Sequence, residues 1–292
     1  MWQTKCTIDG VKAVLPFQQS LRKLKQSLFG FAPMTSKYEH YIEEALAQVE
    51  LLGSVSGSAV LEIGSGWEPL FPLVYRLAGA KKVYLTDLYP LLSNKSLIVT
   101  TDFVRGKLSM IKQRLGREVS LPVLTDDLKT NLDLLGFEYL APCDCRKLPF
   151  QDSSVDVVCS HDCFEHIPPE ALQAILKETR RILKPSGQTI HMIDHSDHWE
   201  HGDKSISRVN FLKYGEKAWK LICTNPQNYQ NRLRHSDYLA MFESEKLKVV
   251  RADGQPNAKA IEALGSINLA PRFRKYSPTD LAIMGTTLIA TK

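Results

Sequence analysis

The chain has 292 residues, 43% of them hydrophobic and 24% charged, which is ordinary for a soluble globular protein of one large α/β domain or two small ones. The formal net charge of +5 is small for this length, and no basic run is interleaved with aromatic residues, which argues against a nucleic-acid partner. No apolar stretch reaches the roughly twenty residues of a membrane span, and the N-terminus has no signal-peptide core, so we expect no membrane partner and a cytoplasmic location.

Two amphipathic helices are predicted at the N-terminus. Residues 17–31 carry leucines at helical spacing, and Tyr38–Leu52 places a row of apolar side chains on one face. Such faces need a partner, so we expect residues 1–52 to form a helical cap on a domain that spans residues 53–292. The apolar face of the second helix consists of Tyr41, Ile42, Ala45, Leu46 and Val49.

Beyond the cap, apolar strands alternate with amphipathic helices. The strands read SAVLEIG, KKVYLTD, SVDVVCS, QTIHMID, LKVVRAD and DLAIMGTTLIATK, and the clearest helices read PLFPLVYRLAG and PPEALQAILKETRRILKPSG. This alternation predicts an α/β fold with a doubly wound, mostly parallel sheet and helices on both faces. Residues 88–138 and 195–235 do not fit a minimal version and are expected to be insertions over the crevice at the strands' carboxyl ends.

A glycine turn follows the first strand in the stretch VLEIGSGWEPL. Gly64 and Gly66 allow a tight turn ahead of a helix, and Asp87 ends the next strand, where an acid can accept both ribose hydroxyls. Glu68 would repel a pyrophosphate, and Pro69 interrupts the GxGxxG pattern of dinucleotide sites. The turn therefore favours a nucleoside bearing a cationic sulfonium, although Glu68 as a simple helix cap stays open.

Four blocks carry a resemblance to a known family: VLEIGSG, VYLTD, APCDCRKLPFQDSSVDVVCSHDCFEHIPPEAL and TRRILKPSGQTIHMID. Over roughly residues 58–185 the chain resembles the class I S-adenosylmethionine-dependent methyltransferases of the type 11 kind. The third block is the most specific. The resemblance implies a Rossmann-like seven-stranded sheet, S-adenosyl-L-methionine as cofactor and methyl transfer as the activity.

The resemblance also implies a set of cofactor-binding residues. Those at the glycine turn would line the methionine end, Asp87 would hold the ribose, Asp144 and the Cys145 backbone would meet the adenine, and Ser160 or His161 would lie beside the methionine amino group. Glu68 departs from the family's small residue and leaves the path of the loop open. Asp144 as a turn acid and His166 as a core histidine are alternatives. The residues at the turn are Glu62, Gly64, Ser65 and Gly66.

The acceptor is expected to be a small molecule. The chain lacks the N/D-PP-Y tetrapeptide of adenine-N6 and glutamine methyltransferases and the Pro-Cys motif of cytosine methylation. We expect O-methylation of a hydroxyl on a polar or sugar-like acceptor by a monomer or homodimer. N-methylation and a non-catalytic cofactor-binding module are alternatives. An NAD-dependent oxidoreductase-like protein is disfavoured by the missing third glycine and by the lack of a downstream Tyr-x-x-x-Lys pair.

The segment IDHSDHWEHGD follows a strand that should end at the cofactor. A hydroxyl must lose its proton, so His195 or His198 is the expected general base, with Asp194 orienting one of them. A solvated loop, or a divalent-metal site of Asp197 and the histidines, is the alternative, and no metal is the expectation. A carboxylate or phosphate of the acceptor is expected to be bound by Asn231, Arg232 and Arg234. The two arginines are predicted to lie at the start of a helix, and the alternative is that they are ordinary helix-surface charges.

The cysteines at positions 143, 145, 159 and 163 do not resemble a structural zinc site. Their CxC and CxxxC spacings lack the paired CxxC knuckles that hold zinc. We expect reduced thiols, consistent with an intracellular protein.

Overall fold

The computed structural model describes residues 35–223 and 229–292. The predicted helix over residues 17–31 lies outside the described residues, as does most of the predicted cap. The second predicted helix is present as α1, Thr35–Leu52, which ends before Gly53 in the left-handed region at φ 82°. Four residues of the predicted face are buried, Ile42, Ala45, Leu46 and Val49, whereas Tyr41 is half-buried. Tyr38, Gln48 and Leu52 are buried in addition.

Seven strands form one sheet, in the order β3-β2-β1-β4-β5-β7-β6. Strand β1 pairs in parallel with β2 and β4, and β2 pairs in parallel with β3, so that Val60 lies opposite Val83 and Val157. The prediction of a mostly parallel α/β sheet is confirmed. The strands are β1 Ala59–Ile63, β2 Lys82–Thr86, β3 Phe137–Leu140, β4 Val155–His161, β5 Leu183–Asp194, β6 Lys248–Asp253 and β7 Gly285–Thr291.

Capping residues delimit several helices that follow α1. Ser93 forms a capping box at the start of α3, Asp127 caps α5 and Asn257 caps α9, each accepting a backbone N–H. Gly116 and Gly136 end α4 and α5 in the left-handed conformation. The helices are α2 Leu70–Leu77, α3 Asn94–Arg105, α4 Leu108–Leu115, α5 Leu128–Leu135, α6 Pro169–Ile182, α7 Glu216–Ile222, α8 His235–Ser244, α9 Ala258–Leu264 and α10 Pro278–Leu281.

Three boundaries differ from the sequence-based expectation, one of them that of the last predicted strand, which begins at Gly285 after α10 ends at Leu281. The excursion over residues 88–138 is helical as expected, but its last residues begin β3, which the sequence reading missed because four residues give too short an alternation. Helix α6 ends at Ile182, and β5 starts at Leu183 and runs through Pro185. Proline is tolerated there because it lies near the start of the strand, where a missing N–H costs least.

The described residues fall into two compact units. The first unit contains residues 35–160, 177–190 and 291–292, and the second contains residues 161–176, 191–223 and 229–290. The division into a cap over residues 1–52 and a domain over 53–292 stays a prediction. The second unit has its own aromatic core, formed with smaller apolar residues by Trp199, Phe211, Trp219, Phe273 and Met284.

Within the first unit, a buried polar contact fixes α1 against its neighbours. Gln48 accepts a hydrogen bond from the Tyr75 hydroxyl of α2 at 3.0 Å and donates one to the Ser160 carbonyl of β4 at 3.2 Å. Buried polar groups need such partners, so the contact specifies how α1 packs. None of the helices in the described part of the chain is long and apolar enough to cross a membrane. A cytoplasmic location stays a prediction.

Candidate functional site

The glycine turn lies at the carboxyl end of β1 in the first unit. Gly64 and Gly66 have φ angles of 76° and 62°, which favour glycine. The amides of Gly64 and Ser65 donate to the Thr86 carbonyl at 2.9 and 3.0 Å, and the Thr86 hydroxyl donates to the Glu62 carbonyl at 2.6 Å. The loop is therefore fixed to the end of β2, as a preformed cofactor loop requires.

Asp87 follows β2 and contacts the same turn. Its carboxylate accepts hydrogen bonds from the amides of Gly66 at 3.0 Å and Tyr89 at 2.9 Å. Burial raises the pKa of Asp87, although these amides act in the opposite direction. The position next to the turn is the one that the sequence predicted, and contact with a ribose stays a prediction.

The acid at the centre of the turn, Glu68, lies beside α1. Burial raises the pKa of the Tyr38 hydroxyl on α1, and the neighbouring Glu68 carboxylate raises it further. Helix α2 begins at Leu70 after Pro69, whose side chain makes no capping hydrogen bond. The structure places Glu68 beside Tyr38, and its role as a helix cap or beside a sulfonium stays a prediction.

The predicted adenine-contacting residues lie in a half-exposed segment of the first unit. The Arg146 guanidinium binds both oxygens of Asp144, with Nε–Oδ1 at 2.9 Å, and lowers the pKa of that carboxyl. Cys145 is buried, and its Sγ lies 3.3 Å from the Thr86 hydroxyl. These positions are compatible with an adenine contact, which stays a prediction.

The described cysteines are free thiols, as expected, and the pKa of Cys143 is lowered to about 7. The hydrogen bond from Cys145 is the main cause, and it outweighs burial and the charge of Asp144. We expect the alkylation rate of Cys143 by iodoacetamide to rise about tenfold per pH unit below that pKa and to level off above it, because only the thiolate reacts.

Peptide mass spectrometry of the alkylated protein measures this profile. In a Cys145→Ala variant the plateau should move to higher pH, towards the ordinary thiol value. An identical plateau in the variant and in the wild type would contradict the assigned cause.

Residues at the end of β4 are the remaining cofactor candidates. Ser160 is 1% exposed and belongs to the first unit, where its carbonyl accepts the bond from Gln48. His161 begins the second unit, and its Nε2 lies 3.7 Å from the Asp162 carboxylate. A role for either residue at the methionine amino group stays a prediction.

In the second unit, Asp194 at the end of β5 lies beside two of the predicted histidines. Its Oδ2 is 3.3 Å from His198 Nε2 and 3.8 Å from His201 Nε2. Burial opposes ionisation of Asp194, but His198 and the Ser196 amide outweigh it and hold the pKa of Asp194 well below its usual range. Asp194 is therefore ionised and placed to orient His198.

His195 differs from His198 in its surroundings. It is 3% exposed, and its Nε2 lies 2.7 Å from the Thr286 hydroxyl. Burial, helped by the charge of Arg234, lowers the pKa of His195 well below the ordinary value. Of the two predicted bases, His198 is thus the one that contacts Asp194, while His195 is a neutral, buried imidazole.

Asp197 does not join these histidines. Its buried carboxylate accepts bonds from the Trp199 amide at 2.9 Å and the Asn210 side chain at 3.1 Å. These contacts fix the turn over His198–His201, so the alternative metal site built on Asp197 is wrong.

The two arginines predicted to bind the acceptor are buried in the second unit. Arg234 Nη1 donates to the His195 carbonyl at 2.9 Å, and its Nη2 donates to the carbonyls of Leu281 and Ile283 at 3.0 and 2.7 Å. Arg232 donates to the carbonyls of Phe211 and Tyr214 and forms an ion pair with Glu216 at 2.8 Å. The alternative that they lie on the helix surface is wrong, since α8 begins only at His235 and both are buried.

Asn231 contributes to the same segment through its side-chain amide. Its Nδ2 donates to the carbonyls of Phe164 and Ile167 at 2.8 and 2.9 Å, and its backbone N–H donates to the Glu165 carbonyl at 2.9 Å. Asn231 therefore fixes the turn that follows β4.

Two functional candidates were not selected from the sequence. Glu165 is 3% exposed, and neither of its carboxylate oxygens has a hydrogen-bond partner of good geometry among the described residues. Burial raises the pKa of Glu165 well above the ordinary value, and the charges of Asp162 and Asp194 add to the effect. His166 follows it, with Nδ1 2.7 Å from the Tyr229 carbonyl. Both residues lie in the stretch FEHIPPEAL of the third block, but the sequence alone could not show that they lie close to His198.

Comparison with known proteins agrees with the fold and the glycine turn. Residues 61–191 match the family model described as a methyltransferase domain. Over residues 61–191 the chain is therefore similar to the S-adenosylmethionine-dependent methyltransferases, which supports S-adenosylmethionine as the cofactor. One curated relative is a sterol 4-C-methyltransferase of Caenorhabditis elegans, 33% identical over 73 residues. Those residues are 24% of this chain and 21% of the relative, so the chain spans about a fifth of its length.

Solved structures with a similar chain trace include several methyltransferases. One is a methyltransferase in complex with the Haloferax volcanii Trm112 activator, 18% identical with a TM-score of 0.48, covering 88% of this chain and 90% of that one. Another is the Burkholderia thailandensis 1,6-didemethyltoxoflavin-N1-methyltransferase with its substrate and S-adenosylhomocysteine bound, 13% identical with a TM-score of 0.46. That comparison covers 96% of this chain and 91% of the other.

Proposed function

We propose that this methyltransferase domain transfers the methyl group of S-adenosylmethionine to a hydroxyl of a polar small molecule. The observation that supports an oxygen acceptor is the Asp194–His198 contact, with Oδ2 and Nε2 3.3 Å apart. A hydroxyl must lose its proton to become a good nucleophile, whereas a neutral amine can attack without a base. An ionised acid that orients a histidine is therefore more useful for O-methylation than for N-methylation.

The proposed reaction is a single displacement. The acceptor oxygen forms a bond to the methyl carbon while the carbon–sulfur bond breaks, which leaves S-adenosylhomocysteine and a methyl ether. The proton of the hydroxyl passes to His198, whose imidazolium Asp194 stabilises. Alignment of nucleophile, methyl and sulfur supplies the rest of the rate enhancement.

The buried arginines are assigned a positioning role in this proposal. The Nη atoms of Arg234 donate hydrogen bonds to backbone carbonyls, and those of Arg232 donate to carbonyls and to Glu216. A guanidinium with such partners is a poor receptor for a further anion. We therefore propose that Arg232, Arg234 and Asn231 shape the acceptor side of the site by fixing its loops.

The cofactor half of the proposal is tested on Asp87. If this carboxylate accepts the ribose hydroxyls, Asp87→Ala should weaken S-adenosylmethionine binding at least about tenfold, since hydrogen bonds to a charged group contribute about 1.5–3 kcal/mol. Isothermal calorimetry with S-adenosylmethionine and S-adenosylhomocysteine measures the change. Asp133→Ala, which removes an exposed acid of α5, is the matched control and should bind as the wild type does.

Equal affinity in the Asp87 and Asp133 variants would remove Asp87 from the site. A screen of hydroxyl and amine acceptors with methyl-labelled cofactor then tests the reaction. Transfer to amines but not to hydroxyls would favour N-methylation, and cofactor binding with no product would favour a non-catalytic module.

A further inference from the structure

Two short 3₁₀ turns of the second unit bring three metal-ligating side chains together. Phe164–His166 supplies Glu165 and His166, and His198–His201 supplies His198. One potential ligand atom of each side chain lies within 4.8 Å of the other two. Two imidazoles and a carboxylate at this spacing match the donor sets of open transition-metal sites.

His166 is held in the state that a histidine ligand needs. Its Nδ1 lies 2.7 Å from the Tyr229 carbonyl, and a carbonyl oxygen can only accept, so Nδ1 carries the hydrogen. The lone pair is then on Nε2. A backbone carbonyl that fixes the tautomer in this way is the usual supporting partner of a metal-bound histidine.

Glu165 is the second and independent observation. Its carboxylate is buried, and neither oxygen has a hydrogen-bond partner of good geometry within the described part of the chain. Buried carboxylates are normally hydrogen-bonded, paired with a cation or bound to a metal. The backbone N–H of Asn231 donates to the Glu165 carbonyl at 2.9 Å and so holds the Glu165 carboxylate beside the histidines. A bound cation would offset the free-energy cost of burying that carboxylate.

The Asp194 carboxylate offers a fourth oxygen. Its Oδ2 lies 3.3 Å from His198 Nε2, an atom that has no hydrogen-bond partner of good geometry among the described residues. Two ligand atoms at about 2.0 Å from a tetrahedral ion are themselves about 3.3 Å apart. The contact therefore has the length of a ligand–ligand edge.

We propose that Glu165, His166 and His198 bind a divalent transition-metal ion of the Zn²⁺ type, with Asp194 next to it as a further oxygen ligand. Two imidazole donors favour Zn²⁺ over Mg²⁺ and Ca²⁺, which prefer oxygen ligands. Metal binding does not depend on the proposed function. A bound ion occupies the lone pair of His198, so His198 no longer acts as the base. The ion instead lowers the pKa of an acceptor hydroxyl that it contacts.

The test is a titration of the full chain, freed of metal by a chelator and then dialysed, with ZnCl₂ in a calorimeter. We expect one equivalent of Zn²⁺ to bind to the wild type. Glu165→Gln should bind Zn²⁺ at least about a hundredfold more weakly, because loss of a residue that only supports a metal ligand already lowers metal affinity by up to that factor. His40→Gln, which removes an exposed histidine of α1, should bind as the wild type does. Zn²⁺ should raise the melting temperature of the wild type and not that of Glu165→Gln.

Failure of the variant to fold does not obscure the result. Glu165→Gln replaces a buried carboxyl group, whose pKa burial raises, with a neutral amide of nearly the same volume, so in chelator it should melt close to the wild-type temperature. Zn²⁺ binding of equal strength in the wild type and Glu165→Gln overturns the inference, and so does a wild type that binds no Zn²⁺. Stoichiometric Zn²⁺ binding by a protein that methylates no acceptor supports the metal site and contradicts only the proposed function.

Discussion

We expect His198→Ala to lower kcat with a hydroxyl acceptor by about a hundredfold to ten-thousandfold, the usual range for loss of general-base assistance. The physical reason is the His198–Asp194 contact of 3.3 Å, which places an oriented imidazole beside an ionised carboxylate. The affinity for S-adenosylmethionine should not change, because the predicted cofactor residues of the glycine turn belong to the first unit. Single-turnover kinetics and calorimetry separate these two quantities.

A matched variant distinguishes the role of His198 from loss of a surface histidine. His201 lies 3.8 Å from Asp194 and is more exposed, so His201→Ala should lower kcat by less than about tenfold. Near-full activity of His198→Ala would show that methyl transfer proceeds by alignment alone or with another base. Asp194→Asn should lower kcat as well, since it leaves the imidazole without its orienting charge.

The largest effect on stability is expected from Arg234→Met. The Arg234 guanidinium joins its own segment to two others of the second unit, through the carbonyl of His195 and through those of Leu281 and Ile283. Methionine has a similar length but no donor, so the variant leaves buried carbonyls unpaired. Because these buried carbonyls lose their charged hydrogen-bond donor, we expect the free energy of unfolding to fall by about 3–5 kcal/mol. Urea unfolding followed by tryptophan fluorescence measures it, since Trp199 and Trp219 lie in that core.

Arg272→Met is the control for this prediction. Arg272 is partly exposed and pairs with Glu216 at 2.7 Å, and such surface pairs contribute about 0–1 kcal/mol. The Arg272 variant should therefore unfold close to the wild-type urea concentration. An equally small change in the free energy of unfolding of both variants would contradict the prediction. It would mean that water or a backbone shift provides hydrogen bonds to the carbonyls that Arg234 binds in the wild type.

The sheet and the cofactor loop follow from local sequence. Hydrophobic periodicity predicted the strands other than β3, because each is a run of apolar residues bounded by turn signals, and β3 was missed because it spans only Phe137–Leu140. The positions of Gly64, Gly66 and Asp87 also follow from the chain, since residues that end neighbouring parallel strands lie at the same edge of a sheet. Their contact, with the Gly66 amide 3.0 Å from Asp87, agrees with that expectation.

The second unit could not be predicted in the same way, because its polar contacts join residues that are far apart in the chain. Sequence alone identified a segment rich in histidine and arginine, but it could not tell a surface arginine from Arg234, which is buried among carbonyls. It also could not place Glu165 and His166 beside His198, some thirty residues later. The sequence determined the sheet through local periodicity, and it indicated the cofactor class through turn chemistry together with the family resemblance. Tertiary packing decided which ionisable groups are buried, which are paired, and which meet, since burial and long-range contact set their charge and their partners.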